Sequence, residues 1–269
     1  MLGSQHMLSV STQIAAGDSL SVFTDMLKSV SFANELLIFN MERTDKEALA
    51  LFEKYKARVI NVKTPKIVEE IRERQIKEAK GDWVLVMDYD EIVPVDLQGE
   101  ILAIIENLAS CSAYAIGRDN YSLGYPMTHG GWERDYVVRL VRKSDFLSWP
   151  KNIHSAPSVK RTTIKTTKAM EHHKDESLTQ MVSKTNRYSD IESTQFYEGK
   201  MAPVTGFTLM RKWWMELFRR GFIKRGLLDG KIGLIQSLYQ GYSVFISYAK
   251  LYEKQLTTSR VISKKENGI

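Results

Sequence analysis

With 269 residues, 43% of them hydrophobic and 26% charged, the chain has an ordinary globular composition, enough for one large domain or one domain plus an appendage. The formal charge of +6 suits anionic partners, while a single cysteine, Cys111, excludes an intramolecular disulfide and a cysteine-based zinc site and fits a reducing, cytoplasmic setting. No apolar stretch approaches the roughly 20 residues needed to span a bilayer. Nothing resembles a secretory signal, and residues 1–6, MLGSQH, read as an expression scar ahead of Met7.

In chain order, apolar runs alternate with turn signals. Residues 8–14 are β-prone, and after Ala16-Gly17-Asp18 the residues Leu20, Phe23, Leu27 and Val30 recur at helical spacing. Leu36-Leu37-Ile38-Phe39 is a buried strand ending at Asn40. Thr44 or Asp45 can cap the next helix, whose inner face is Ala48, Leu51, Phe52 and Tyr55. Residues 58–62 are a third strand, Pro65 opens a charged helix running to Lys80, and residues 83–87 are a fourth strand. This is the alternation of a parallel sheet with crossover helices. Neither GxGxxG nor GxxxxGK followed by Ser or Thr occurs, so dinucleotide and P-loop fingerprints are absent. Pro94 and Asp96 introduce a helix with Leu97, Ile101, Ile104, Ile105 and Leu108 inward. Residues 113–117 and 136–141 are further strands around a long loop rich in glycine, aromatic and charged residues. A basic, threonine-rich strand at 159–167 leads to Glu171-His172-His173. A helix after Ser177 then carries Met181, Lys184, Tyr188 and Ile191 on one face.

The stretch with the most chemistry is Gly81-Asp82-Trp83-Val84-Leu85-Val86-Met87-Asp88-Tyr89-Asp90-Glu91. A short apolar run of this kind is a strand buried on both faces, and it ends in three carboxylates within four residues. In extended chain Asp88 and Asp90 would share one side and Tyr89 the other. Open α/β sheets bind ligands at the carboxyl ends of their strands. One or two carboxylates plus phosphate oxygens is how Mg²⁺ or Mn²⁺ is held against a nucleoside diphosphate. The plainer alternative is a solvated acidic turn closing a strand.

Gly81-Asp82-Trp83 running into Asp88-Tyr89-Asp90-Glu91 resembles the DxD segment of family 2 glycosyltransferases, which have the GT-A fold. His129-Gly130-Gly131-Trp132, with Asp135 and Arg139-Leu140, resembles more narrowly the branch of bacterial lipopolysaccharide core glucosyltransferases. Leu228-Asp229-Gly230 and residues 248–253 are similar to the same branch, so the resemblance spans most of residues 8–253. It implies an α/β, GT-A catalytic domain with a Rossmann-like mixed sheet over residues 8–200, followed by a helical, aromatic and basic extension over 201–256. It further implies inverting transfer of a sugar from a nucleotide sugar, UDP-linked, to a hydroxyl of a lipid-linked or cell-envelope glycan, with Mg²⁺ or Mn²⁺. The setting it implies is cytoplasmic, with peripheral attachment to the inner face of the cell membrane left open.

Position by position, the resemblance gives Asp90 and Asp88 as metal residues, with His154 or His172 completing the shell and His173 as a substitute. Thr12, Asn40, Arg72 and Asp88 become the nucleotide-binding set. Asp135 best matches the base that deprotonates the acceptor, with Glu133 and Glu91 as second choices. Its plainer role is a loop cap or a partner for Arg139. His129, Gly130, Gly131 and Trp132 form the acceptor or sugar pocket, Trp132 serving equally well as a loop anchor. Two positions depart from the family. Asn40 stands where an aspartate usually reads uracil, and Arg72-Glu73 aligns where Arg-Asn is usual. Arg72 either reaches a phosphate or is simply solvated.

From Thr205 the composition changes. Phe207, Met210, Trp214 and Leu217 share one helical face beside Arg211, Lys212, Arg219 and Arg220. After Asp229-Gly230 a second stripe runs through Ile232, Ile235, Leu238, Tyr242, Phe245, Ala249 and Tyr252. Residues 205–253 therefore either meet an anionic membrane or pack on the catalytic domain or on another subunit. No nucleic acid is expected, and a homo-oligomer stays open. Two other functions remain alternatives: a metal-dependent nucleotidyltransferase, and a non-catalytic membrane-associated binding protein on the same scaffold.

Overall fold

The computed structural model describes residues 6–107, 111–152 and 155–266. Residues 1–5 of the expected scar, Leu108 and His154 lie outside the described residues. The chain divides into two compact units, Met1–Asp119 with Arg134–His173, and Asn120–Glu133 with Lys174–Ile269. The division thus does not fall at residue 200. The loop at 120–133 and everything from Lys174 onward group with the C-terminal helices.

The first unit begins with β1 (Leu8–Ala15), α1 (Leu20–Ser29), β2 (Glu35–Met41), α2 (Lys46–Lys54), β3 (Arg58–Val62), α3 (Glu69–Glu78) and β4 (Trp83–Met87). After the acidic stretch come β5 (Glu91–Ile92), α4 (Val95–Glu106) and β6 (Ala113–Ser122). The two-residue β7 (Tyr125–Pro126) precedes β8 (Asp135–Arg142), β9 (Phe146–Ser148), β10 (Ser158–Val159) and β11 (Thr163–Asp175). The main sheet runs β3-β2-β1-β4-β8-β6-β11-β5. β3, β2, β1 and β4 are parallel, and β8 joins β4 antiparallel. A mixed α/β sheet followed by C-terminal helices is therefore what the chain forms.

Pleating divides the core. Trp83, Leu85 and Met87 of β4 join Phe23 of α1, Phe52 of α2 and Leu97 of α4 on one face. Val84 and Val86 join Ile71 and Ile76 of α3 on the other. That double burial explains the uninterrupted apolar run of β4. Asp45, not Thr44, caps α2, accepting from Ala48 N at 3.0 Å.

Three local expectations change. The helix after Pro65 starts only at Glu69, because residues 65–68 form an uncapped turn. Asp88-Tyr89-Asp90-Glu91 is not extended chain but a turn, closed by Glu91 N donating to Asp88 O at 3.2 Å. Alternation therefore does not put Asp88 and Asp90 side by side. Finally, the basic strand continues to Asp175, so Glu171, His172 and His173 are strand residues. Glu171 and His172 pair with Ile92 and Glu91 of β5.

The second unit holds the end of β6, the β7 hairpin, the loop to Glu133 and the helices α5 (Leu178–Glu198), α6 (Gly206–Phe218) and α7 (Gly230–Glu266). Leu123 and Gly124, both at positive φ, turn the hairpin. A π-helical turn, Arg219–Ile223, and a 3₁₀ turn, Gly226–Asp229, link α6 to α7. These helices bury polar residues beside apolar ones: Thr185, Ser189 and Ser193 with Met181 on α5, and Gln236, Ser237 and Ser247 with Tyr248 and Leu251 on α7. Gly241 of α7 lies against the Trp213 ring. The faces expected on both helices are covered only in part: Met181 is buried and Ile232, Ile235, Phe245 and Ala249 are half-buried, while Tyr188, Ile191, Leu238, Tyr242 and Tyr252 are exposed.

Gly81, at the entry to β4, donates its N–H to Ser9 Oγ at 2.8 Å, and a Cβ there would sit 2.6 Å from Met7 O and 2.7 Å from Ser9 N. Because backbone cannot yield as a side chain can, Gly81→Ala is expected to cost about 1–3 kcal/mol. Denaturant unfolding of the variant measures this.

Candidate functional site

In the first unit the carboxyl end of β4 carries a buried ionic cluster. Asp88 leaves β4 and meets two guanidiniums, Arg72 from α3 on Oδ1 and Arg139 from β8 on Oδ2. Gln13 of β1 donates from Nε2 to Asp88 Oδ1 at 2.6 Å, while its own Oε1 accepts from Arg72 at 3.1 Å and Gln75 at 2.9 Å. The Arg139 guanidinium also donates to Glu91 Oε1 at 2.6 Å, and Glu91 Oε2 accepts from the Asp88 N–H at 2.8 Å. Arg118 of β6 stands 3.5 Å from Glu91 Oε1 and makes a forked pair with Asp135 at the start of β8. Three arginines thus face three carboxylates across neighbouring strands and one helix.

Burial opposes the charge on Asp88, but Arg139 and Arg72 outweigh it and hold this carboxyl far below the usual carboxylate range. Burial likewise works against the Arg139 cation, yet Asp88 and Glu91 together raise its pKa. At Arg72 burial wins, lowering its pKa despite Asp88.

The expected site residues sort clearly on this frame. Arg72 is buried rather than solvated, and it belongs to the cluster. Glu91 is fully enclosed and engaged by arginines, so it is not a base that an acceptor hydroxyl can reach. Asp135 is half-exposed, and its partner is Arg118 rather than Arg139. Thr12 lies inside β1 with no exposure, and its neighbour Gln13 is the β1 side chain that reaches Asp88. Asn40, at the end of β2, spends its amide on the β2–α2 loop and on β3. It donates to Arg43 O and Asn61 Oδ1, each at 2.9 Å, and accepts from Arg43 N at 3.1 Å. Beside it a cleft of about 500 Å³ is lined by Glu42, Arg43, Leu49, Asn61 and Lys63.

Among the described residues no three His, Cys, Asp or Glu side chains converge as a metal cage. A smaller donor set does fit a divalent ion. Asp90 Oδ1 lies 3.8 Å from His172 Nε2, and both side chains are largely buried. A carboxylate and an imidazole leave the other positions to phosphate oxygens and water, as is usual beside a diphosphate. The expected Asp88–Asp90 pair does not fit in this way, since both Asp88 oxygens are taken by arginines. His173 instead lies 3.0 Å from Glu171 through Nε2, and its N–H donates to Asp90 O at 2.8 Å.

In the second unit the His-Gly-Gly-Trp loop is joined to the Leu-Asp-Gly segment a hundred residues later. Asp229 accepts from Thr128 N at 3.0 Å, His129 N at 2.9 Å, Thr128 Oγ1 at 2.7 Å and His129 Nδ1 at 2.8 Å. Burial pushes against its charge, but these four donors lower its pKa. Gly130 and Gly131 both have positive φ, and a Cβ on Gly130 would strike the Trp132 ring at 2.4 Å. Trp132 is buried with the Arg220 guanidinium 4.5 Å from its centroid and its carbonyl bonded to Asn120. That is the loop-anchor role, with the ring covered rather than presented to a sugar. Glu133 is exposed and accepts from Gly131 N at 3.3 Å.

No family model matches the chain. It is 24% identical over 259 residues to a Rickettsia conorii protein named as an uncharacterized glycosyltransferase, the match covering 88% of each chain. A Rickettsia bellii protein of the same name is 24% identical over 245 residues, covering 84% of this chain and 80% of that one. Among solved structures, the mannosyltransferase PcManGT of Pyrobaculum calidifontis aligns with a TM-score of 0.47 at 8% identity, over 97% of this chain and 81% of that one. TarS of S. aureus aligns at 0.42 and 11% identity, over 84% of this chain but less than half of the TarS chain, 44%.

Arg139 is the shared cation of Asp88 and Glu91, so Arg139→Leu leaves Asp88 to Arg72 and the buried Glu91 to Arg118 alone, one cation short, and is expected to cost about 3–5 kcal/mol in urea unfolding at neutral pH. Asp229, with its folded pKa lowered, contributes stability that is present above about pH 3.9, the ordinary aspartate value, and is lost as pH falls through the folded value. Thermal melts from neutral to acid pH should therefore show Asp229→Asn as destabilised at neutral pH and converging on the parent chain in acid.

Proposed function

We propose that the chain is a metal-dependent, inverting glycosyltransferase of family 2 type with the GT-A arrangement, moving a sugar from a nucleotide sugar to a hydroxyl acceptor. The observation that carries this is the largely buried pair of Asp90, in the turn after β4, and His172, on β11, beside an aspartate fixed by two arginines. Similarity over most of the chain to relatives named glycosyltransferases supports it. Asp90 and His172 would hold Mg²⁺ or Mn²⁺, which when bound supplies neutralising charge for a diphosphate leaving group.

The chain's own residues provide the rest. Arg72, Arg139 and Gln13 keep Asp88 ionised and oriented as an acceptor for donor hydroxyls. The cleft beside Asn40 suits the nucleobase, with the Asn61 amide and Lys63 at its wall. Uridine remains the proposed base. Because the Asn40 amide is already spent on Arg43 and Asn61, base recognition falls to other groups of that cleft. Asp135 takes the proton from the acceptor hydroxyl as its oxygen bonds to the anomeric carbon and the nucleoside diphosphate departs. Its exposed position suits such a base, and Arg118 holds it in one orientation. The narrower form, a cell-envelope glucosyltransferase acting on a lipid-linked glycan, rests on the His129-Gly130-Gly131-Trp132 loop and its Asp229 anchor.

The test is titration of UDP-sugars with and without Mn²⁺, followed by product analysis. Asp90→Asn and His172→Ala are expected to abolish the Mn²⁺-dependent part of binding while leaving the melting temperature near that of the parent chain. Asp135→Asn should bind donor normally but turn over about 10²–10⁴-fold more slowly. Unchanged metal dependence in the first two variants overturns the site. Release of pyrophosphate instead of a nucleoside diphosphate overturns the reaction.

A further inference from the structure

The helices of the second unit share a small apolar core, Val204, Tyr248 and Leu251 with Phe196, Leu209 and Val244 against them, while α6 buries no residue of its own fully and turns several large apolar side chains outward. The outward ridge is continuous along α6 and its π turn. Phe207, Met210, Trp214, Phe218, Phe222 and Ile223 are all more than half exposed, from 52% at Met210 to 76% at Phe207. Trp213 does not belong to it, since its ring lies against Gly241. Such a contiguous apolar surface marks a site of interaction.

Charge decides what covers it. Residues 205–231 carry seven lysines and arginines against two carboxylates, a net charge of +5. Lys212 lies over the Tyr248 ring and Arg220 over Trp132, while Arg211, Lys224, Arg225 and Lys231 are exposed. A second copy docked on the same face would set one +5 surface against another. An anionic lipid surface complements both features at once, cations to headgroups and aromatic side chains to the acyl boundary. No helix is long and apolar enough to cross a membrane among the described residues, so the fitting mode is lying on the surface. We propose that α6 and its π turn dock the protein on an anionic membrane surface through the Phe207–Ile223 ridge. This stands independently of the reaction proposed above.

The experiment is co-sedimentation of the full chain with phosphatidylcholine vesicles with and without phosphatidylglycerol, at low and high salt. Binding is expected only with the anionic lipid and weaker at high salt. The double variant Trp214→Ser/Phe222→Ser should lose it. The double variant Arg211→Glu/Lys231→Glu, which touches no packed residue, should bind at least about 25-fold more weakly, roughly fivefold per cation removed. Melting temperatures of both variants are measured alongside, and the charge variant decides the matter if the apolar one fails to fold. No binding of the parent chain to anionic vesicles overturns the proposal. So does binding that ignores lipid charge, or a dimer in light scattering that Trp214→Ser/Phe222→Ser converts to monomer, which assigns the ridge to a second copy.

Discussion

The Arg139 guanidinium, buried and shared between Asp88 and Glu91, is the constraint on which the first unit's candidate site depends. Isolated carboxylates at that depth would neutralise or disrupt the strand end. With Arg139 from β8, Arg72 from α3 and Arg118 from β6 around them, the turn after β4 becomes a fixed object. The same turn carries Asp90 towards His172 on β11. Rigidity and chemistry are thus divided within four residues. Asp88 and Glu91 hold the turn, and Asp90 is what the turn presents.

The second unit solves a different problem. Its loop of Thr128 to Trp132 has two glycines at positive φ and is bound through one aspartate that accepts four hydrogen bonds. Gly226 and Gly233 allow close backbone approach nearby, with Gly226 packed on Gly130. Beyond this polar anchor the helices meet partly through serine, threonine and glycine and partly through a small apolar cluster of Val204, Tyr248 and Leu251. Hydrogen bonds such as Thr185 Oγ1 to Tyr239 Oη at 2.6 Å and Ser247 Oγ to Glu192 at 2.5 Å run beside that apolar seam.

Most of the alternating α/β order was legible, because strands buried on both faces and helices with one apolar stripe leave clear periodic signals. The acidic end of β4 and the pairing potential of His172 were legible as residue types. Their division of labour was not, since it depends on which arginines arrive from distant strands. Gln13 had a signal, being the long polar residue in an otherwise closed β1, but nothing local connects it to Asp88, 75 residues away. The turn at Asp88–Glu91 defeated strand alternation because a backbone hydrogen bond closes it, so the extension stops at Met87 and does not run on through Asp90. On α5 and α7 the periodicity was visible but its direction was not. Amphipathic spacing identifies two faces, and only the neighbours decide which one is covered.

The Asp229 anchor also has a consequence in time. Thr128 and His129 are synthesised about a hundred residues before the carboxylate that binds them. At ordinary elongation rates that is about 5–20 s of translation. During that interval the nascent chain holds every strand of the main sheet soon after β11 emerges, yet the His-Gly-Gly loop still lacks its partner and Arg220 is not yet there to cover Trp132. The sheet can close vectorially on the ribosome, whereas the loop becomes structured only when the start of the final helix has been made.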